Sequence, residues 1–530
     1  MAAPLATLDA LISAALQLGA DTVAGWSPQE AGLATRTPHV PVPVGEIRDA
    51  ILSGLDPLGD AYCRIRSSAE RRGLGQAYTP PEIISSMVGW AASEMAPARI
   101  IDPGSGSGRF TVAAGRQFPH ARLVAVDVDP VATLMTRASV AAAGLAGRTT
   151  ALLRDYRALG QDRVEGPTLF IGNPPYVRHH QIDPAWKRWL TETARARGHR
   201  ASALAGLHAH FFLATAEQGS PGDTGAFITS AEWLDVNYGR LVRELLLDGL
   251  GGLGIHVLDP DAMPFAGVIT TGVITTFRLG SRPKSVRLRR VKTVTDLGTL
   301  DGGRRISRQR LTGASRWTPL TRARPKLPDE WVELGELCRV HRGTVTGANG
   351  VWVTRAGETD LPPQVLFPAV TRARELFTAG PRLTAAEHLR CVIDLPADLD
   401  ELDAETREVV DRFLRRVRAQ GVADGYIART RRVWWRVGLG QPAPILATYM
   451  ARRPPAFVRN LAGARHINIA HGLYPRQPLP GGVLDRLAAA LRASVGVGEG
   501  RTYAGGLTKF EPREMERVAV PSLEMLSTGS

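Results

Sequence analysis

The stretch Leu169-Phe170-Ile171-Gly172-Asn173-Pro174-Pro175-Tyr176 decides how this chain is read. An apolar run, Leu169 to Ile171, ends abruptly in a turn that presents an amide, two prolines and a phenol. Pro174 and Pro175 lock φ and carry no backbone N–H, which leaves the Asn173 amide and the Pro174 carbonyl as outward hydrogen-bond acceptors. Two such acceptors can grip an exocyclic amino group, and Tyr176 offers a flat face on which a ring stacks. That geometry suits methyl transfer to a planar amine. The same residues are also common in plain strand-ending turns, so the rest of the chain must arbitrate.

Three further strand ends lie upstream. Arg99 to Asp102 reads as a strand that runs into Pro103-Gly104-Ser105-Gly106-Ser107-Gly108, with a helix from about Phe110 to Gln117. Gly104 and Gly106 let the backbone turn tightly and approach a ligand. The spacing is G-x-G-x-G, not the dinucleotide G-x-G-x-x-G, and Asp102 stands directly before the turn. A carboxylate there repels a pyrophosphate but suits the ammonium of an amino-acid-bearing cofactor, which favours S-adenosylmethionine over NAD. The second strand, Arg122 to Val126, ends in Asp127, 25 residues after Asp102, where doubly wound folds place an acid on ribose hydroxyls. Asp129-Pro130 reads as the cap of the next helix. A third strand, Thr150 to Leu153, ends at Asp155, placed to accept from the adenine amino group. Thr79-Pro80-Pro81-Glu82 reads as a capped helix start, with Thr79 as N-cap, Glu82 as its capping-box partner, and Thr79 and the loop 75–78 touching the cofactor. All of these residues would meet at the carboxyl edge of one sheet.

Composition narrows the class. The 530 residues are 44% hydrophobic, enough for two or three domains with real cores. The formal charge of +14 points to a polyanionic partner, nucleic acid first and an anionic membrane surface second. Cys63, Cys338 and Cys391 are too few and scattered for a disulfide framework or a zinc cluster. No run approaches the ~20 apolar residues of a membrane span, and no metal site is expected. A cytoplasmic protein follows as the expectation.

Along the chain, residues 1–74 carry helical spacing and no chemical motif, and a helical cap on the next domain is expected. Leu204 to Glu217 reads as an amphipathic helix, Ala226 to Thr229 as a strand and Tyr238 to Leu247 as a helix. Ile255 to Leu258 and Val268 to Leu279 complete the sheet with an antiparallel hairpin. Trp233 suits core packing better than ligand contact, while Tyr238 is a candidate second wall of a base pocket. Residues 281–330 read as a basic linker, and the part 281–328 holds fourteen Lys and Arg, including Arg289, Arg290, Arg304 and Arg305, against Asp296 and Asp301 alone. A hinge lying along a duplex would use them on phosphates. Residues 331–530 form a second globular region in which Arg342 and Asn349, with Arg429 to Arg436 and Asn460 to His471, carry the groups that base-edge readout needs. Trp434 and Trp435 are better read as core.

In this order, Thr79-Pro80-Pro81, Asp102 to Gly108, Asp127, Asp155 and Asn173-Pro174-Pro175-Tyr176 resemble the gamma-class adenine-N6 DNA methyltransferases of restriction–modification systems. Ala226 to Asp235 and Gly505 to Pro512 resemble further segments of that family, so the likeness runs from about 75 to 520. It implies a class I methyltransferase domain (α/β, a Rossmann-like doubly wound sheet with an antiparallel hairpin) over 75–280, and an α+β target-recognition domain over 331–530. By position, Thr79 and Asp102, with Gly104 and Gly106, would hold the methionine end of S-adenosylmethionine, Asp127 the ribose and Asp155 the adenine. Asn173 and Pro174, stiffened by Pro175, would bind the target N6, Tyr176 would stack on the flipped base, and Arg178 would touch nucleic acid. Asn rather than Ser at 173 favours adenine N6 over cytosine N4 in that family. The expected partner is double-stranded DNA, with a separate restriction endonuclease and a monomeric enzyme. The alternatives are an rRNA or protein-glutamine N-methyltransferase, and a catalytically idle DNA-binding regulator on the same fold.

Overall fold

A computed structural model describes residues 5–66, 79–160, 165–259, 271–321, 327–328, 330–451, 453–496, 501–503 and 507–528. The loop 75–78, residues 268–270, Arg322, Arg324, Gly505 and Gly506 therefore lie outside the described residues. The chain divides into two compact units, Met1–Arg324 and Pro325–Ser530.

In the first unit, four short helices come first: α1 (Leu8–Gln17), α2 (Pro28–Arg36), α3 (Val44–Leu52) and α4 (Pro57–Ile65). Then follow α5 (Pro81–Glu94), β1 (Arg99–Pro103), α6 (Arg109–Gln117), β2 (Arg122–Asp127), α7 (Pro130–Ala142), β3 (Thr149–Leu153) and β4 (Thr168–Gly172). After them come α8 (Pro184–Ala196), α9 (Leu207–Gln218), β5 (Thr224–Ser230), α10 (Arg240–Leu247), β6 (Gly252–Leu258), β7 (Gly272–Arg278), β8 (Ser285–Val291), β9 (Arg304–Ser307) and α11 (Arg308–Gly313). The strands form one sheet in the order β3-β2-β1-β4-β5-β7-β6-β8-β9. β1 to β5 pair in parallel, and β7 is antiparallel to both β5 and β6. This is the doubly wound sheet with an antiparallel hairpin that the sequence predicts.

Strand alternation explains the layers. In β4 every residue is buried, yet Phe170 packs with α8, α9 and α10 on one face while Leu169 and Ile171 pack with α5 and α6 on the other. A parallel strand covered on both faces reads as a continuous apolar run for this reason. Each fully buried Phe or Leu of this kind contributes roughly 1.5–3 kcal/mol. The N-terminal helices do cap the sheet domain, through Leu11, Ile12, Leu58 and Tyr62 on α7 residues Val131, Leu134 and Met135. Enclosed between those helices and the sheet, α7 is buried almost all round, which its small and apolar residues permit. Its single guanidinium, Arg137, lies wholly inside and pairs with Glu30 of α2 at 2.6 Å.

Two expectations are corrected. The stretch 281–330 is not a free linker: β8 pairs in parallel with β6, and β9 runs antiparallel to β8, so both extend the main sheet. A composition rich in arginine hid the alternation of Val286, Leu288 and Ile306, whose side chains are buried. Helix α9 is not amphipathic, because His208 through Ala216 are all buried.

The second unit is α+β. A five-stranded sheet contains Cys338–Arg342, Ala470–Pro475, Ile445–Thr448, Phe457–Asn460 and Arg382–Leu383, and the helix Gly481–Ser494 packs Val483, Leu487 and Leu491 on it. The helix Ala404–Ala419 closes a second core with Trp352, Val392 and Ile393, against which Trp434 and Trp435 are half-buried. Both tryptophans serve packing, as their apolar bulk predicts.

Candidate active site

At the carboxyl ends of β1, β2 and β4 the chain leaves an open pocket of about 750 Å³, its mouth included. Gly104, Gly106 and Gly108 take positive φ of 76°, 59° and 87°, a region L side chains rarely adopt. That lets the backbone fold over the end of β2, with the Gly104 N–H donating to the Val126 carbonyl at 2.8 Å and the Gly106 N–H to Asp127 Oδ2 at 2.9 Å. Opposite stands the proline corner. A Cβ placed on Gly104 would meet Pro175 Cδ at 3.2 Å and the Asn173 carbonyl oxygen at 3.8 Å. Glycine turn and corner therefore face each other across one cavity, which Gly104, Gly106, Asp127, Thr79, Asn173 and Pro175 all line.

Thr79 departs from its expected local role. Pro80, not Thr79, caps α5, and no side chain caps that helix, so Glu82 closes no capping box. Thr79 is buried and faces inward instead, its Oγ1 accepting from Asn173 Nδ2 at 3.1 Å and its carbonyl from Arg109 Nη1 at 3.0 Å. An amide that donates to Thr79 presents its oxygen elsewhere, which is the orientation an acceptor of an amino group needs.

The acids separate by environment. Asp102 is 2% exposed and lies outside the pocket lining. Its Oδ2 accepts from the Thr111 N–H at 3.0 Å and hydroxyl at 2.6 Å, which anchors α6. Burial, against those bonds, pushes its carboxyl up to about 7. Asp127 accepts from the Gly106 and Asp129 N–H groups, and loss of solvent at the pocket wall still raises it to about 6. The Asp155 carboxylate caps a short turn and takes the Arg157 guanidinium at 2.9 and 2.6 Å, and like Asp102 it lies outside the cavity lining. Arg157 continues the contact onto the Trp186 ring at 3.9 Å. Phe110, Val128, Arg154, Tyr156 and Phe211, which the motifs did not single out, also line the cavity. Val128 is 57% exposed there, and no pattern in the sequence marks it.

Around the corner, Pro174 and Tyr176 lie outside the lining, and Tyr176 is partly buried against Ile171 and its neighbours. Burial holds its phenol well above the ordinary range. Trp233 is fully buried and donates to Thr229 Oγ1 at 3.1 Å, a core residue as expected. Tyr238 packs on the same core and donates to Glu232 Oε2 at 3.3 Å, and Arg178 is exposed.

Among the described residues the basic run divides: Arg287, Arg289, Arg290, Arg308 and Arg316 are half-buried, whereas Arg282, Lys284, Lys292, Arg304, Arg305 and Arg310 are exposed. Arg289 Nε donates to His256 Nδ1 at 2.8 Å and its other nitrogens reach the Asp296 and Leu297 carbonyls. Arg290 pairs with Asp259, and Arg304 donates to the Leu320 carbonyl at 2.9 Å. These contacts correct the phosphate role expected of Arg289 and Arg290, whereas Arg305 is exposed on β9. In the second unit Arg342 lies 5.1 Å above the Tyr449 ring, and Asn349 opens a short helix while accepting from Thr346 Oγ1.

The comparisons agree with this architecture. Residues 324–529 match the C-terminal domain of type II methyltransferase M.Eco57I, and residues 165–250 match the Eco57I restriction-modification methylase family. The type II methyltransferase M.XamI of Xanthomonas campestris pv. amaranthicola is 53% identical over 471 residues, spanning 89% of this chain and 88% of that protein. The chain belongs to the type II restriction–modification DNA methyltransferases. A more distant type II methyltransferase, M.AccI of Acinetobacter calcoaceticus, is 22% identical over 88% of each chain. The fold is also that of the type IIL restriction-modification enzyme MmeI, solved with DNA, at a TM-score of 0.53 and 14% identity over 82% of this chain and 67% of that one. No helix among the described residues is long and apolar enough to cross a membrane.

Proposed function

We infer that this type II methyltransferase modifies N6 of an adenine extruded from double-stranded DNA, with S-adenosylmethionine as donor. The observation that carries the reading is the shared cavity, in which Asn173 and Pro175 stand against Gly104 and Gly106. The pocket fits the donor: its glycine backbone makes room that a Cβ would close, Asp127 would take the ribose hydroxyls, and exposed Val128 gives an apolar surface for the adenine ring. Asp102, buried before the turn, would supply negative charge toward the methionyl ammonium. When bound, the cofactor supplies an electrophilic methyl group.

The remaining work falls to the chain's own residues. The adenine N6 lone pair is delocalised into the ring. Accepting its two N–H groups on Asn173 Oδ1 and the Pro174 carbonyl would draw N6 toward tetrahedral geometry. Thr79 would keep the amide in the accepting orientation, and Pro175 would hold the corner rigid. Extruding the base costs a few kcal/mol, offset by stacking on Tyr176 with Tyr238 as second wall. The second unit would recognise the target sequence, with Arg342 and Asn349 among its readers, and Arg178 and Arg305 would touch phosphates. We further propose a monomer that protects DNA against a separately encoded endonuclease.

Sequencing modified bases in DNA from cells expressing the chain tests this reading. N6-methyladenine at one short recognition sequence is expected. Methylcytosine alone, or unmodified DNA from cells containing active protein, overturns it.

A further inference from the structure

The N-terminal helices carry no motif, yet α4 reaches the active-site turn. Asp56, the N-cap of α4, accepts from the Gly59 N–H through Oδ1 at 2.8 Å. Its Oδ2 faces the glycine turn, taking the Ser107 hydroxyl and Arg109 Nε, the latter at 2.6 Å. Gly59 permits that approach, since a Cβ there would stand 2.8 Å from Ser107 Oγ. Arg109 then spreads its fork: Nη2 donates to Asp60 Oδ1 at 2.8 Å and Nη1 to the Thr79 carbonyl at 3.0 Å. Thr79 in turn receives the Asn173 amide at 3.1 Å.

We propose that Asp56 is a positioning residue for methyl transfer, setting the cofactor turn and the Asn173 amide together through Ser107, Arg109 and Thr79. The inference rests on the role proposed for Asn173. Three features support it. The pair is sheltered, with Asp56 7% and Arg109 19% exposed, so it is not a screened surface ion pair, unlike the contact to Asp60, which is 59% exposed. A planar guanidinium bonded at three nitrogens has one orientation, which fixes the Thr79 backbone. Every group in the chain of contacts from Ser107 to Asn173 lines the same pocket, while Asp56 behind them does not. Helix α4 is therefore part of the machinery although it lies outside the 75–280 stretch that carries the motifs.

Asp56→Asn separates the roles, because asparagine caps a helix as well as aspartate does but cannot hold Arg109 by charge. The expected result, read in purified, folded full-length protein on DNA carrying the target site, is a kcat lower by about 10- to 100-fold and a raised KM for S-adenosylmethionine, whatever the accompanying fall in melting temperature. Arg109→Lys, which keeps the charge and loses the fork, should reproduce the same kinetic pattern. Wild-type kcat and KM in Asp56→Asn, with or without a lower melting temperature, overturn the proposal and leave a structural cap only. If Asp56→Asn fails to fold, Arg109→Lys decides by the same two constants. Asn173→Ala in the same assay tells the two readings apart: full methylation by that variant sinks the Asn173 assignment itself, whereas its inactivity beside a normal Asp56→Asn sinks only the positioning role.

Discussion

Gly104 and Pro175 approach so closely that a methyl group on the glycine would lie 3.2 Å from the proline Cδ. The two residues are 71 positions apart, on the turn after β1 and the corner after β4, which are neighbouring strands. Their contact sets the width of the pocket that both residues line.

A matched pair of glycines tests that width. Gly104→Ala and Gly144→Ala both place alanine at positive φ, 76° and 73°, but a Cβ at 144 meets nothing within 4 Å. Both should lose roughly 1–2 kcal/mol of stability to backbone strain. Only Gly104→Ala should also weaken binding of S-adenosylmethionine, by tenfold or more in titration calorimetry. Equal binding by the two variants would detach the turn from the cofactor.

Asn173→Ala removes one acceptor of the proposed amino-group grip and leaves the glycine turn untouched. Cofactor affinity should stay within about twofold while kcat falls at least about 10²-fold, measured by transfer of labelled methyl to DNA.

Acid should weaken cofactor binding. Asp102 and Asp127 have folded values near 7 and 6, above the ordinary carboxyl range, chiefly through burial. As pH falls through that window each gains a proton, so the charge proposed to attract the ammonium and the acceptor proposed for a ribose hydroxyl would be lost. The unliganded fold responds with the opposite sign. A raised folded value means the native state binds more protons than the unfolded chain between pH ~4 and ~7. These two groups therefore add stability on acidification. The rise in melting temperature caused by S-adenosylmethionine should shrink from pH 8 to pH 5, and in Asp127→Asn the part of that change centred near 6 should vanish.

The buried pair Arg137–Glu30 fastens α2 to α7. Both side chains are fully buried, and Arg137 also donates to the Val23, Ala24 and Ala151 carbonyls. Glu30→Ala leaves a guanidinium without its counter-charge and should cost about 3–5 kcal/mol in denaturant unfolding, while adding Arg137→Met to it should recover part of the loss.

Arginines within the basic stretch should divide by contact. Arg305→Ala is expected to lower the salt slope of DNA binding by about 0.9 with little change in melting temperature. Arg289→Ala should instead destabilise the fold, since it strips a bonded partner from buried His256, and leave the slope unchanged.

Much of this protein is decided locally. Strands β1 to β4, the glycine turn, the Asp129 cap on α7 and the proline corner follow from apolar runs and from residues that restrict φ, forces acting over a few positions. The meeting of four strand ends at one edge follows too, because parallel strands joined by right-handed crossovers leave their carboxyl ends on one side. What each polar group does was decided only in three dimensions. Thr79 turned from helix cap to partner of Asn173, Asp155 turned onto Arg157, and the arginines of 282–304 found carboxylates, carbonyls and a histidine instead of standing free. A charged or hydrogen-bonding side chain takes whichever partner burial brings near it. For Arg109 that partner is Asp56, 53 residues away and on a helix that bears no motif.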